Sequence, residues 1–224
     1  MSPDAGTVRA AAQAMGLAVG DAQVAKLLQF LDELRRWNAT YNLTALRDPQ
    51  VMVTHHLVDC MAAVPAVRRW AQGRVGLKVL DVGSGGGLPG IVWALLMPEL
   101  EITCVDAVGK KAAFVRQVAG SLGLNVQALH ARVETLGGAR FDLITSRAFS
   151  SLADLARLSR SALAPGGAWL ALKGKIPDAE IAALGPAAQV FHVEPLTVSG
   201  LEAERCLVWM EPRPDAATSG HPPG

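Results

Sequence analysis

Val79-Leu80-Asp81-Val82-Gly83-Ser84-Gly85-Gly86-Gly87-Leu88-Pro89-Gly90 is the stretch that decides the fold. Apolar strand formers lead through an acid into a glycine cluster, and Ile91 to Met97 continues in helical fashion. The segment therefore predicts a strand, a tight turn and a helix N-terminus. Glycines let the backbone approach a ligand with no Cβ in the way, and a helix terminus presents unpaired N–H groups. A second predicted strand, Ile102 to Asp106, ends in a carboxylate about 20 residues further on, where a doubly wound fold places the acid that accepts from ribose hydroxyls. The pair of features predicts an adenosine-bearing cofactor.

Working outward, strands are predicted at Val126 to His130, Phe141 to Ser146 and Trp169 to Lys173, with helical segments between most of them. Pro165-Gly166-Gly167 reads as the turn into the fifth strand, and Val190 to Leu196 with Cys206 to Glu211 as a closing hairpin. This alternation predicts an α/β fold with a mostly parallel seven-stranded sheet. Upstream, Val24, Leu27, Leu28, Leu31 and Leu34 recur at helical spacing behind Asp21, placed to cap the start, and about Val51 to Trp70 forms a second helical stretch. The expected organisation is an N-terminal helical extension over residues 1–70, a Rossmann-like domain over 71–211 and a disordered tail over 212–224.

Gly85-x-Gly87-x-x-Gly90 alone also satisfies the dinucleotide fingerprint. Asp81 shifts the reading from NAD to S-adenosylmethionine, because Asp-x-Gly-x-Gly-x-Gly puts an acid where a methyltransferase faces the amino end of that cofactor. A chain of 224 residues also leaves little room for a separate dehydrogenase substrate domain. The plainer alternative is that Asp81 only caps amides of the turn and Asp106 only caps a helix.

Composition narrows the class. Half of the residues are apolar, enough for one sizeable core. Cys60, Cys104 and Cys206 show neither a disulfide framework nor zinc spacing. No apolar run is long enough for a membrane span and the N-terminus lacks a signal pattern, so the expectation is a cytoplasmic protein, no membrane partner and a monomer. A net charge of +1 conceals an asymmetry: Arg35, Arg36, Arg47, Arg68, Arg69, Arg74 and Lys78 cluster early, while Asp178, Glu180, Glu194, Glu202, Glu204 and Glu211 fall late. A basic face of this kind suits phosphates, and it equally suits a solvated helix surface.

The ordered set Asn42-Leu43-Thr44, His55-His56-Leu57-x-Asp59, the glycine motif with Leu88-Pro89-Gly90, Lys110-Lys111, Ser146-Arg147-Ala148 and Lys173-Gly174 closely resembles the bacterial small-subunit ribosomal RNA guanine-N7 methyltransferases, the glucose-inhibited division protein B family. The resemblance runs from about Leu28 to Glu211. It implies a class I S-adenosylmethionine-dependent methyltransferase fold, S-adenosyl-L-methionine as donor, and N7 of guanine 527 in 16S ribosomal RNA of the small subunit as target. It also places Asn42 and Thr44 near the active site. Asp106 stands where many members carry Glu, and the acidic tail is peculiar to this chain.

The residues fit that chemistry on their own terms. After the fourth strand stands Ser146-Arg147-Ala148-Phe149, with no Asn/Asp-Pro-Pro-aromatic motif to align an exocyclic amine, and no cysteine is placed for attack on a pyrimidine. Guanine N7 has a free in-plane lone pair and no proton, so alignment carries most of the catalysis, worth about 7–11 kcal/mol in favourable cases. Arg147, at the carboxyl end of a strand, is the candidate catalytic and cofactor-side residue; a structural ion pair to an acid such as Asp81 is its alternative. The predicted cofactor set is Asp81, Gly83, Ser84, Gly85, Gly87, Leu88, Asp106, Arg132, Val133, Glu134 and Arg147. Asn42, Thr44, His56, Lys110 and Lys173 are the substrate-side candidates.

His55 and Asp59 share a helical face without a third nitrogen or sulfur ligand, which argues against a metal site. N7 faces the deep, narrow major groove of A-form RNA, so the target belongs to an irregular, folded region. A small-molecule methyltransferase, sharing every cofactor residue, is the alternative function.

Overall fold

The computed structural model describes residues 3–46 and 48–213. The helices are α1 Pro3–Ala14, α2 Asp21–Tyr41, α3 Pro49–Met52, α4 Asp59–Met61, α5 Val64–Ala71, α6 Gly90–Leu96, α7 Gly109–Leu122, α8 Leu152–Ser159 and α9 Asp178–Ala182. The strands are β1 Lys78–Val82, β2 Glu101–Asp106, β3 Val126–His130, β4 Phe141–Arg147, β5 Leu163–Lys173, β6 Ala188–Leu196 and β7 Arg205–Pro212. They form one sheet in the order β3-β2-β1-β4-β5-β7-β6. The first five run parallel, and β7 is antiparallel to both β5 and β6.

Side-chain alternation along the strands divides the core into two layers. Val79, Ile102, Leu143, Leu170 and Leu207 face α1, α2, α6 and α7, whereas Leu80, Val105, Ile144, Trp169 and Val208 face α8 and the segment around Leu184. Leu27, Phe30, Leu31 and Leu34 of α2 are fully buried in the first layer, so the N-terminal helices belong to the same core as the sheet. Trp37 reaches across to Phe114 of α7, with ring centroids 5.4 Å apart.

Four local expectations are corrected. Gly20, not Asp21, precedes the first turn of α2; Gln23 Oε1 accepts from the Gly20 N–H, and Asp21 pairs with Arg9. Pro165-Gly166-Gly167 lies within β5, where the register with β4 slips between Phe141 and Leu143, so these residues bulge out of a strand already begun. The second helical stretch expected from about Val51 to Trp70 is present, but not as one regular α-helix: Val53–Val58 is a π-helix, with the Asp59 N–H bonded to the carbonyl of Thr54, and a turn at Ala62 and Ala63 leads into α5. Most of the expected disordered tail, residues 214–224, lies outside the described residues, as does Arg47, while Pro212 ends β7.

The fourth correction concerns charge. Arg35 pairs with Asp4 and Asp32, Arg36 with Glu33, Arg69 with Glu194 and Arg74 with Asp142, while Arg68 donates to the carbonyl of Leu96. Arg74 and Lys78 stand at the amino end of β1, opposite the glycine turn. Among the described residues the run from Arg35 to Lys78 is therefore no continuous basic face around the crevice, because it is paired with Asp32 and Glu33 one turn back on α2 and with acids from distant segments.

Candidate active site

The strand order reverses between β1 and β4, and a crevice opens there beyond the carboxyl ends of the strands. β1 runs into the glycine turn, which is pinned to β2: the N–H groups of Gly83 and Ser84 both donate to the carbonyl of Val105, at 2.9 and 3.2 Å. Gly83, Gly85 and Gly87 hold positive φ of 66°, 55° and 79°, a region that strains residues bearing a Cβ. At Gly90 the requirement is space, since a Cβ would stand 2.5 Å from Cys104 Sγ and 3.0 Å from Asp81 Oδ2.

Most amides of the turn already have partners. Gly85 N–H donates to Asp106, Gly87 and Leu88 donate to the Ser84 carbonyl, and Gly90, at the start of α6, donates to Asp81 Oδ2 at 3.0 Å. The turn thus offers a ligand close approach more than free donors. An acid standing at this helix N-terminus would repel the pyrophosphate of a dinucleotide, which elsewhere binds at such a terminus.

Asp81 itself is completely buried, and its Oδ1 has no hydrogen-bond partner. Burial pushes its carboxyl up to about 7, against the pull of the Gly90 N–H and the charge of Arg147. A buried acceptor left unpaired is costly, so this oxygen marks a place where a donor belongs. Asp106 is 6 % exposed, with Oδ2 accepting from Gly85 and Oδ1 from Val108 at 2.8 Å. Each oxygen keeps a second lone pair.

A cleft of about 330 Å³ brings together Gly83, Asp106, Arg132, Val133 and Glu134 with Phe149. The size suits a nucleoside. Phe149 is a residue that sequence reasoning passed over: its ring lies on Gly83, within 2.9 Å of where a Cβ there would stand. Ala148, at φ 58°, turns the chain to put it there. Ser84 and Leu88 are buried in the turn, 3 % and 4 % exposed, outside the lining of this cleft.

Arg147 ends β4 and is held from above by the π-helix. Its Nη1 donates to the carbonyl of His55 at 2.8 Å and to Asp59 Oδ2 at 3.1 Å, and its Nη2 lies 3.4 Å from His56 Nδ1. Arg205, at the start of β7, donates to the other oxygen of Asp59 at 2.7 Å. One carboxylate thus clamps two arginines. The expected structural alternative for Arg147 was an acid such as Asp81; its ion-pair partner is Asp59.

The polar chain continues through His56 Nε2 to Thr44 Oγ1 at 3.1 Å, and the Thr44 N–H donates to Asn38 Oδ1. Burial, reinforced by Arg147, lowers His56 to about 4, so it is neutral at physiological pH. Asn42 sits at the end of α2 in the left-handed conformation, φ 51°, that terminates the helix.

Lys173 is turned away from solvent into a pair with Glu180 at 2.9 Å and donates to the Ser150 carbonyl, while Lys110 is exposed on α7. Burial pushes the Cys60 thiol up to about 12 and raises Cys104 well above its usual range, so neither is a ready thiolate. Among the described residues no three metal-ligating side chains gather, and no helix is long and apolar enough to cross a membrane.

Sheet order, glycine turn and acid-lined crevice define a class I methyltransferase fold. The chain superposes on the 16S rRNA N2 G1207 methyltransferase of Thermus thermophilus, in complex with AdoMet and guanosine, with a TM-score of 0.52 at 19 % identity, covering 69 % of this chain and 43 % of that one. The glycopeptide N-methyltransferase MtfA gives a TM-score of 0.55 at 14 % identity, covering 70 % and 94 %. The GidB family model, described as rRNA small subunit methyltransferase G, matches residues 23–208, and the chain belongs to that family. Ribosomal RNA small subunit methyltransferase G of Acidovorax sp. (strain JS42) is 56 % identical over 213 residues, covering 92 % of this chain and 94 % of the relative. The protein of the same name from Leptothrix cholodnii is 54 % identical over 219 residues, covering 97 % and 100 %.

Proposed function

We propose that this chain transfers the methyl group of S-adenosyl-L-methionine to N7 of guanine 527 in 16S ribosomal RNA of the small subunit, in the cytoplasm and as a monomer. Family membership over residues 23–208 supports the reaction. The observation that carries the choice of cofactor is the unpaired, buried Oδ1 of Asp81 at the start of α6. It calls for a donor such as an ammonium group, and it disfavours a phosphate.

In this reading Asp81 holds the amino end of the cofactor, and Gly83, Ser84, Gly85, Gly87 and Leu88 shape the turn beneath it. Asp106 accepts from the ribose through its remaining lone pairs. Arg132, Val133 and Glu134 border the adenine end of the cleft. The bound cofactor supplies an electrophilic methyl group, and the chain's own residues need only orient the acceptor and exclude water.

Arg147, fixed by His55 and Asp59 at the carboxyl end of β4, carries a permanent positive charge on the crevice side of the sheet, which suits RNA. Thr44 and His56 brace it, Asn42 ends the helix that carries Asn38, and Lys110 meets phosphate. Lys173 bears on substrate through the loop that its pair with Glu180 holds. No general base is required, which agrees with the weak basicity of His56, lowered to about 4, and with the protonated thiols of Cys60 and Cys104.

The test is transfer of labelled methyl from S-adenosylmethionine to small subunits purified from a deletion strain, followed by chemistry that cleaves at 7-methylguanine. A single cleavage at the target is expected. Labelling without cleavage would overturn the N7 assignment, and labelling confined to small molecules would favour the alternative substrate class.

A further inference from the structure

An open pocket of about 660 Å³ lies between His55 and the loop Gly200 to Ala203, which joins β6 to β7. Because β7 runs antiparallel to β5 with Cys206 opposite Lys173, this loop sits at the carboxyl end of β5, the same end of the sheet as the glycine turn. Arg147 ties the pocket to the crevice by donating to the carbonyl of His55, one of the pocket's walls. Arg205 closes the loop and binds the same Asp59 carboxylate as Arg147, so loop and catalytic strand are held in one ionic cluster. The pocket contains one acid, the exposed Glu202.

A guanine that directs N7 at a methyl donor turns its opposite edge away, and that edge carries two adjacent donors, N1–H and the N2 amine. A carboxylate offers two acceptors at matching spacing. Adenine presents an acceptor at N1, which a carboxylate repels. Methylation at N7 leaves the purine cationic, so a carboxylate on N1–H binds more strongly as the methyl arrives. Resting on the N7 reading above, we infer that Glu202 reads the Watson–Crick edge of the target guanine in this pocket and sets the selectivity of the enzyme for guanine over adenine.

The experiment compares the full chain with Glu202→Gln and Glu204→Gln on small subunits carrying guanine or adenine at the target position, with S-adenosylmethionine affinity followed by calorimetry. An amide pairs with adenine as well as with guanine. Glu202→Gln is expected to lower kcat/KM on guanine subunits by roughly 5- to 150-fold, to narrow the guanine-to-adenine ratio by a similar factor, and to leave cofactor affinity unchanged. Glu204→Gln, outside the pocket lining, is expected to keep the wild-type ratio. An unchanged ratio in Glu202→Gln, or a switch seen only in Glu204→Gln, would overturn the assignment. Failure of the unsubstituted chain to methylate guanine subunits would overturn the proposed function itself, and the pocket assignment with it.

Discussion

Raising the pH from 5.5 to 7 is expected to tighten S-adenosylmethionine binding by about 15-fold. Burial holds the Asp81 carboxyl up to about 7, and its unpaired Oδ1 is the acceptor assigned to the cofactor's ammonium. Only the ionised carboxylate makes that pair, so the apparent affinity scales with the ionised fraction, about 0.03 at pH 5.5 and 0.5 at pH 7. Binding releases the proton that Asp81 carried. Calorimetric titration in two buffers of different ionisation enthalpy measures both quantities, and close to one proton should leave per cofactor at pH 5.5. The range stops at pH 7 because an α-amino group itself titrates at about 7.7–8.0. Asp81→Asn should bind more weakly and without the slope. A dissociation constant flat in pH, or a slope that survives in Asp81→Asn, would refute the assignment of Asp81.

Stability should show a compensation. His56, lowered to about 4, is fully stabilising above pH 6.5 and loses on the order of 3 kcal/mol as pH falls to 4, whereas the raised Asp81 gains stability as pH falls from 7 towards 3.8. The cofactor-free protein is therefore expected to be nearly pH-insensitive across this window, and Asp81→Asn to lose stability on acidification in urea titrations; parallel curves would contradict this. Asp59→Ala leaves Arg147 and Arg205 without their shared acid. Since these side chains are 20 % and 24 % exposed, the cost is placed at about 2–3 kcal/mol, below the range for fully buried pairs. A melting temperature within a degree of wild type would argue that the clamp is energetically idle. Gly90→Ala drives a methyl group into Cys104 and Asp81 and should cost about 1–3 kcal/mol, partly recovered in the double variant with Cys104→Ala. Denaturation midpoints decide this, and an unchanged Gly90→Ala midpoint would mean that helix and strand are less tightly apposed than the distances indicate.

Much of the architecture was legible from local pattern. Strand and helix periodicities located all seven strands, because most strands carry their own apolar run and three of the four parallel crossovers their own α-helix, the one from β3 to β4 having only the short 3-10 turn Val133–Thr135. The glycine turn was legible for a steric reason: left-handed φ at Gly83 and the close approach at Gly90 admit few other residues. The π-helix was not, since nothing in Val-Thr-His-His-Leu-Val separates a π-helix from an α-helix and its geometry is set by what it packs against. Neither was the apparent basic face, because charge counted along a chain ignores which acids folding brings alongside.

The sequence by itself determined the fold class and the glycine turn, which depend on residues close together in the chain, and the family, which depends on the order of short motifs that are each local. Only the tertiary structure decided how Arg147 is held. Its acid, Asp59, lies 88 residues away, and the second arginine on that acid, Arg205, lies 146 residues from it. Nothing in local propensity couples positions so far apart. Their meeting follows from the antiparallel insertion of β7 beside β5 and from the packing of the N-terminal helices over the carboxyl ends of the strands, where burial makes leaving any one of these charges unpaired costly.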